Sequence, residues 1–431
     1  MDPRLKPLLW GSAVSAVGDG LWFTVSVVFF VHERHFSASA VGVAMTLAGL
    51  VGMLTAIPLG GLADSRSPRG VLVGLTLVRA AAMAAYLLPA GVWAFGATTV
   101  VFVSLKNGIS AIRVALVAGV VPGGEARVAV LARARVAQHV GYAVGAAIGS
   151  AVLTLDRAGL YTATVLLNTA TFLVLAAFSA RLPAGAAASR PGSALGAYAV
   201  LRDLPFCAVC AVTAVLSLCW AMLSTGLPLW VSGSTRLPLA LSGAVVVVSS
   251  VGIAALQVPA GRLVRTPRAA ARTAAGAGFV LALSCLVLAT TSGGRGPLAA
   301  AAVLLAGVLH LAGELGYVAA SWTLTTSLMR EEAKGAYQGA AESATATVQV
   351  LGPGLFALAV GGAGAGGWLA VGAVFAAAGA GVPVTARWAQ RNRGVGQRPL
   401  RQVGCPESTP ERGTTHVGDE RAGAEVGRPA P

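Results

Sequence analysis

Long apolar runs, broken at short intervals by small clusters of charge, proline and glycine, organise almost the whole chain. Breaking it at those clusters leaves runs at 8–31, 38–62, 71–90, 96–121, 136–155 and 159–180. A second set follows at 204–232, 237–261, 271–292, 297–325, 339–361 and 366–386. A helix needs roughly 20 apolar residues to cross a hydrocarbon core about 30 Å thick, and each run approaches or exceeds that length. Backbone polar groups must be satisfied internally in lipid, and unbroken apolar runs lack the two-residue alternation of a barrel strand. The pattern therefore predicts an all-α integral membrane protein with twelve transmembrane helices, arranged as two six-helix bundles over residues 1–180 and 204–388. Residues 181–203, rich in Ala, Gly, Ser and Arg, read as a cytoplasmic linker carrying one short interfacial helix. Residues 389–431 read as a disordered basic tail, too poor in apolar residues to bury a core.

Composition agrees with the pattern: 56% of residues are hydrophobic and 11% charged, with a mean hydropathy of +0.76. The net charge of +15 would suit nucleic acid if it were gathered on one domain, but Lys and Arg are dispersed among short loops. Membrane topology accounts for them instead. Alternate loops carry 16 Lys and Arg on one side and 4 on the other, and cytoplasmic loops retain the excess. The expected protein is thus multi-pass in the cell (plasma) membrane, a single chain with both termini cytoplasmic. Its basic, then apolar, N-terminus lacks a small-residue cleavage site and reads as an uncleaved first span. Cys207 and Cys210 spell CxxC without a second Cys or His pair, so small buried hydrophobes are expected there rather than a metal site.

The two halves repeat each other. PLGGLADSRSPR begins at Pro58 and PAGRLVRTPR at Pro259, each ending a helix with P-x-G-x-L and then a basic turn closing in S/T-P-R. PGGEARVAV after the fourth span and REEAKGAYQG after the tenth each place acid-Ala-base just before a helix. Six plus six spans and the loop Gly60, Leu62, Ala63, Asp64 and Arg69 resemble the major facilitator superfamily of secondary transporters, over about residues 1–388. Ser65, Ser67 and Pro68 depart from the usual signature, and the second copy has Arg265 where the acid would stand. Gly141, Gly145 and Gly149, four apart on the fifth span, resemble the glycine-rich helix of the family's antiporters, without its proline. Small residues at that spacing also serve plain helix packing. The run LHLAGELGYVAASWTL, with EEAKGAYQGAAESATATVQVLGPGL after it, is similar to the tenth and eleventh helices of bacterial proton-coupled drug exporters in this superfamily. The resemblance implies a major facilitator fold of two pseudo-symmetric bundles. It also implies that Gly60, Asp64, Arg66 and Arg69 form a gating loop, in which Asp64 latches neighbouring helices in the outward-facing state.

Ionisable groups inside a span are costly and mark a pathway or a partner. Asp19, between Gly18 and Gly20 near the middle of the first span, is a candidate for proton coupling or for binding a cationic substrate, against a helix-packing hydrogen bond. Glu314 lies deep in the tenth span, four residues after His310 on the same face; the two could relay a proton or hold a polar substrate, or Glu314 could partner an Arg. Lys106 and Arg113 in the fourth span and Arg79 in the third are basic groups in apolar surroundings. Arg79 and Arg113 lie about 13 Å from their loops at helical rise, too deep to snorkel. Either Lys106 or Arg113 could fill the functional basic position that the resemblance implies for the fourth span, or form a salt bridge with Asp64, Asp19 or Glu125. Trp22 and Trp322 sit deeper than the other tryptophans and could line a cavity or pack in a core. No G-x-S-x-G, H-E-x-x-H or phosphate-binding loop occurs, and no cofactor or catalytic constellation is expected. The expected activity is secondary active transport by alternating access, foremost proton-coupled efflux of a small hydrophobic or cationic compound such as a drug or natural product. Uptake of a small metabolite or peptide is the alternative, and a non-transporting receptor or scaffold the remote one.

Overall fold

The computed structural model describes residues 5–88, 91–121, 124–182 and 196–396. The apolar runs become helices α1 Lys6–Glu33, α2 Ala38–Ser65, α3 Pro68–Ala85, α4 Val92–Val120, α5 Gly124–Leu155 and α6 Ala158–Ala180. The second set is α7 Leu204–Ser234, α8 Ala240–Leu263, α9 Pro267–Ala289, α10 Gly296–Leu328, α11 Lys334–Phe356 and α12 Ala363–Gly396. The last apolar segment, Glu331–Arg393, runs 63 residues, about three times what one crossing needs. It is divided by a π-helical turn over Ala357–Gly362 and a kink at Gly364, where φ 58 and ψ −128 are open to a residue without a Cβ. Two crossing helices result.

Helix starts carry the repeat seen in the sequence. Ser67 and Thr266 cap α3 and α9 through their hydroxyls, each followed by proline in the first turn, where its missing N–H costs nothing. Asp203 caps α7 through its carboxylate, which accepts from the Phe206 backbone N–H. Within the first half α1 packs on α5 and α6, α2 on α4, and α3 on α4 and α6; within the second, α10 packs on α8 and α9. The halves meet where α2 lies on α11 and α5 on α8, with α4 on α11 and α5 on α10 beside them. Together they make one compact unit reaching to Asn392.

Three expectations change in detail. The fifth span begins at Gly124, not near residue 136, because charged Arg127, Arg133 and Arg135 continue the helix through its polar end instead of forming a loop. Of the linker, Gly196–Arg202 forms a 3-10 helix, and the rest of the expected loop lies outside the described residues. The expected tail is helical over 389–396, as α12 continues to Gly396; from 397 onward it lies outside the described residues.

Candidate functional site

The site is built on the glycine stripe of α5. Cβ atoms added at Gly141 and Gly145 would meet the backbone of α1 at Ala13 and Val17, and one at Gly149 would meet Thr24. Such close approach brings α1 and α5 together around Asp19, whose neighbour Gly18 faces Asn168 and Thr171 of α6. Arg79 reaches Asp19 from α3, with Nη2 2.7 Å from Oδ1. The guanidinium also lies over the rings of Phe102 at 4.6 Å and Phe172 at 4.2 Å. Cation–π contact and ion pairing compensate an arginine that is 3% exposed. Asp19 is therefore committed to a partner inside its own half.

Beside this pair is a chamber of about 190 Å³ whose wall includes Asp19, Lys106, Arg113 and Glu342. Arg113 Nη1 donates to Ser12 at 3.2 Å. The Gln138 amide, with its oxygen toward the guanidinium, accepts from Nη1 at 2.7 Å and Nη2 at 3.0 Å. Glu342 of α11 faces Arg113, Ser110 and Lys106 across the seam between halves. A second chamber of about 230 Å³ shares Ser12, Ser110, Arg113, Gln138 and Glu342 and extends to Trp220, Tyr317 and Trp322. The two chambers adjoin at those residues.

Glu314 is 2% exposed. Its Oε1 accepts from Arg135 Nη2 of α5 at 2.5 Å and from Trp220 Nε1 of α7 at 2.8 Å, with Arg135 stacked on the Trp220 ring. His139 faces the same pair. His310 does not join them in the chambers: its Nε2 lies 2.8 Å from the Cys219 carbonyl oxygen.

The linker end of the molecule is sealed at the α2–α11 seam. Asp64 accepts from the backbone N–H of Gly335 at 2.7 Å and of Ala336 at 2.8 Å, satisfying free donors of the α11 N-terminus where a negative charge is favoured. Gly60 and Gly335 allow this, since a Cβ on either would fall on the other's carbonyl oxygen. Farther along, Ser343 donates to the Met53 carbonyl and Gly49 meets Val350, whereas Gly42 and Gly354 toward the opposite end meet nothing within 4 Å. The seam is therefore closely packed at the linker end. Arg69 donates to the Leu182 carbonyl at 3.1 Å, and Arg66 is exposed. Two ion pairs add to the seal, Arg265 with Glu125 at 3.3 Å, both exposed, and Arg127 with Glu331 at 3.8 Å, where the acid alone is exposed. The repeat is thus rewired: α2 ends in an acid on the start of α11, and α8 ends in Arg265 on the acid in the first turn of α5.

Several sequence expectations are resolved by these contacts. Asp19, Lys106 and Arg113 share one chamber, while Glu314 and His310 sit apart. Neither Lys106 nor Arg113 pairs with Asp64, Asp19 or Glu125, because the α11 N-terminus, Arg79 and Arg265 hold those acids. Trp322 lines the second chamber, but Trp22 packs in an aromatic core, stacked on Tyr86 at 5.4 Å. Sequence reasoning missed Glu342, Gln138 and the burial of Arg135. The intramembrane-charge criterion that found Asp19 also applies to Glu342. It failed because the eleventh span, read as starting at 339, left Glu342 at a helix end; the helix begins at Lys334.

Comparison with known proteins agrees with this architecture. The chain is similar in structure to a bacterial homologue of the iron transporter ferroportin in an outward-facing state, with 14% identity, a TM-score of 0.69, and 90% of this chain and 99% of that chain covered. It is similar to the human organic anion transporter TETRAN at 16% identity and a TM-score of 0.63, covering 89% of this chain and all of that one. It is also similar to the E. coli fucose:proton symporter at 16% identity and a TM-score of 0.64, covering 89% and 97%. No curated protein sequence matches the chain. The family model of the Major Facilitator Superfamily matches residues 8–353, and with twelve apolar helices in two repeated sets of six the chain belongs to this superfamily of secondary transporters.

Proposed function

We propose that the protein is a proton-coupled transporter of a small amphipathic compound that works by alternating access between its two halves. The observation that carries this reading is the pairing of charge across the seam. Glu314 and Glu342 of the second half face Arg135 and Arg113 of the first. An ion pair out of water is costly to separate while both members are charged. Protonating the acid removes that cost, so proton binding shifts the balance between closed and rocked states. The linker side, rich in Lys and Arg, is taken as cytoplasmic, with both termini there and the protein in the cell membrane. The sealed α2–α11 seam then makes this the outward-facing state, and Asp64 its latch.

Export of a hydrophobic or cationic drug or natural product is the direction favoured by the sequence of α5, α10 and α11. Uptake is a second reading, favoured by one observation: the chamber walls carry more bases than acids. Purified protein in liposomes, challenged with a compound panel under pH gradients of either sign, tests the proposal. Compound movement that follows the imposed gradient, and stops with protonophore, supports it. Movement indifferent to protonophore removes the proton from the mechanism.

A further inference from the structure

Lys106, Ser110 and Arg113 recur at i, i+4 and i+7, so α4 turns all three toward the chamber over about 10 Å of its length. The charges around the chambers do not cancel. Arg79 holds Asp19 at 2.7 Å and Arg135 holds Glu314 at 2.5 Å. Lys106 and Arg113 remain, and beyond Asp19, which Arg79 already holds, Glu342 is the carboxylate that acts on both. Lys106 is exposed to the chamber, and among the described residues no carboxylate lies within ion-pair distance of it. Three cations, Arg79, Lys106 and Arg113, line the chamber against two carboxylates, Asp19 and Glu342; the excess positive charge is costly at this depth, and an anion brought by the ligand offsets it. Arg113 is already oriented by Gln138 and Ser12, so little ordering is needed to bind one. From Arg113 the cavity runs on to the aromatic faces of Trp220 and Trp322.

We propose that the cavity takes an amphipathic organic anion, with its carboxylate or sulfonate between Lys106 and Arg113 and its apolar body against Trp220 and Trp322. This rests on the proton-coupled reading above and fixes its sign. The charged groups acting on Glu342 are Arg113 and Lys106, both on α4, and they are the cations the ligand needs. Ligand anion and Glu342 carboxylate compete for them, so the ligand binds best when Glu342 has taken a proton from solution. Anion and proton therefore occupy the protein together, and an inward proton gradient drives the anion inward. Uptake is selected over export.

The test uses the purified full-length protein with 2-naphthalenesulfonate, whose charge does not titrate, beside naphthyl-trimethylammonium and a short series of aryl carboxylates. Saturable binding of the sulfonate is expected, with uptake of about one proton per anion bound in weakly buffered solution. Lys106→Met should weaken binding by about tenfold or more, while Lys106→Arg restores it and shows that the fold is intact. Glu342→Gln should bind the anion at least as tightly with no proton uptake. Preference for the ammonium compound, unchanged binding in Lys106→Met, proton release on binding, or no binding by any anion of the series would each overturn the proposal. Liposome transport separates the two failures. A proton-driven cation with no anion binding leaves coupled transport standing without this site, and anion binding with these signatures but no gradient-driven movement leaves the site without coupled transport.

Discussion

Arg135 and Glu314 meet at 2.5 Å with side chains 14% and 3% exposed, so breaking the pair and deleting it are different experiments. Removing one partner leaves a buried charge unpaired, which costs about 3–5 kcal/mol, whereas replacing both with apolar groups is often near neutral. Arg135→Leu and Glu314→Leu should each lower the melting temperature in detergent, and the double variant should recover most of the loss. A double variant no more stable than either single one would mean the pair is not the source of the cost. Asp64 is different in kind, because its carboxylate spans two backbone donors of another helix. Asp64→Asn keeps one acceptor and loses the charge, so turnover should fall while substrate affinity stays nearly intact. Loss of affinity alone would contradict a latch. Arg265 and Glu125 are 63% and 50% exposed, and exposed pairs contribute little, so Arg265→Ala should leave turnover nearly unchanged in the same assay. Asp19, Glu314 and Asp64 were legible as isolated charges in apolar sequence, but their partners were not. Arg79 is 60 residues from Asp19 and Arg135 is 179 from Glu314, and spacing along a helix says nothing about such pairs.

Among the elements, two sets of glycines pack helices closely for different ends. Gly145 joins α5 to α1 inside one half, and Gly60 and Gly335 join α2 to α11 across the seam. A seam that opens during rocking can release an added side chain; an interface inside a half cannot. Gly145→Leu should therefore reduce the yield of folded protein. Gly60→Leu should fold but shift the population away from the closed seam, read as faster thiol labelling of a Cys placed at Ser343, which bonds to α2 when closed. Equal labelling rates with and without the Gly60 change would remove the glycine contact from the gate. The stripe at 141, 145 and 149 was readable from its four-residue spacing, which puts all three on one face. Its partner helix was not, and the start of α5 was misread because a charged first turn looks like a loop.

At the scale of the molecule, polar links and close packing hold the α2–α11 seam shut at the linker end, and the proposed alternating access requires that seam to open. A cross-link between Met53→Cys and Thr347→Cys, whose side chains meet across the α2–α11 seam, should stop transport and release it on reduction. Undiminished transport in the cross-linked protein would show that α2 and α11 need not separate.

Sequence by itself determined the helical membrane class, the count of twelve and the repeat of two sets of six. These follow from local properties: run length against bilayer thickness, backbone satisfaction within each helix, and S/T-P caps at matching places. Tertiary structure alone decided which charges pair, that Arg79 holds Asp19 and Arg135 holds Glu314, and that Lys106 and Arg113 line one chamber with Glu342. An intramembrane charge is costly wherever it stands, so its presence can be read from one helix, but its compensation comes from another helix and depends on how the two halves are packed.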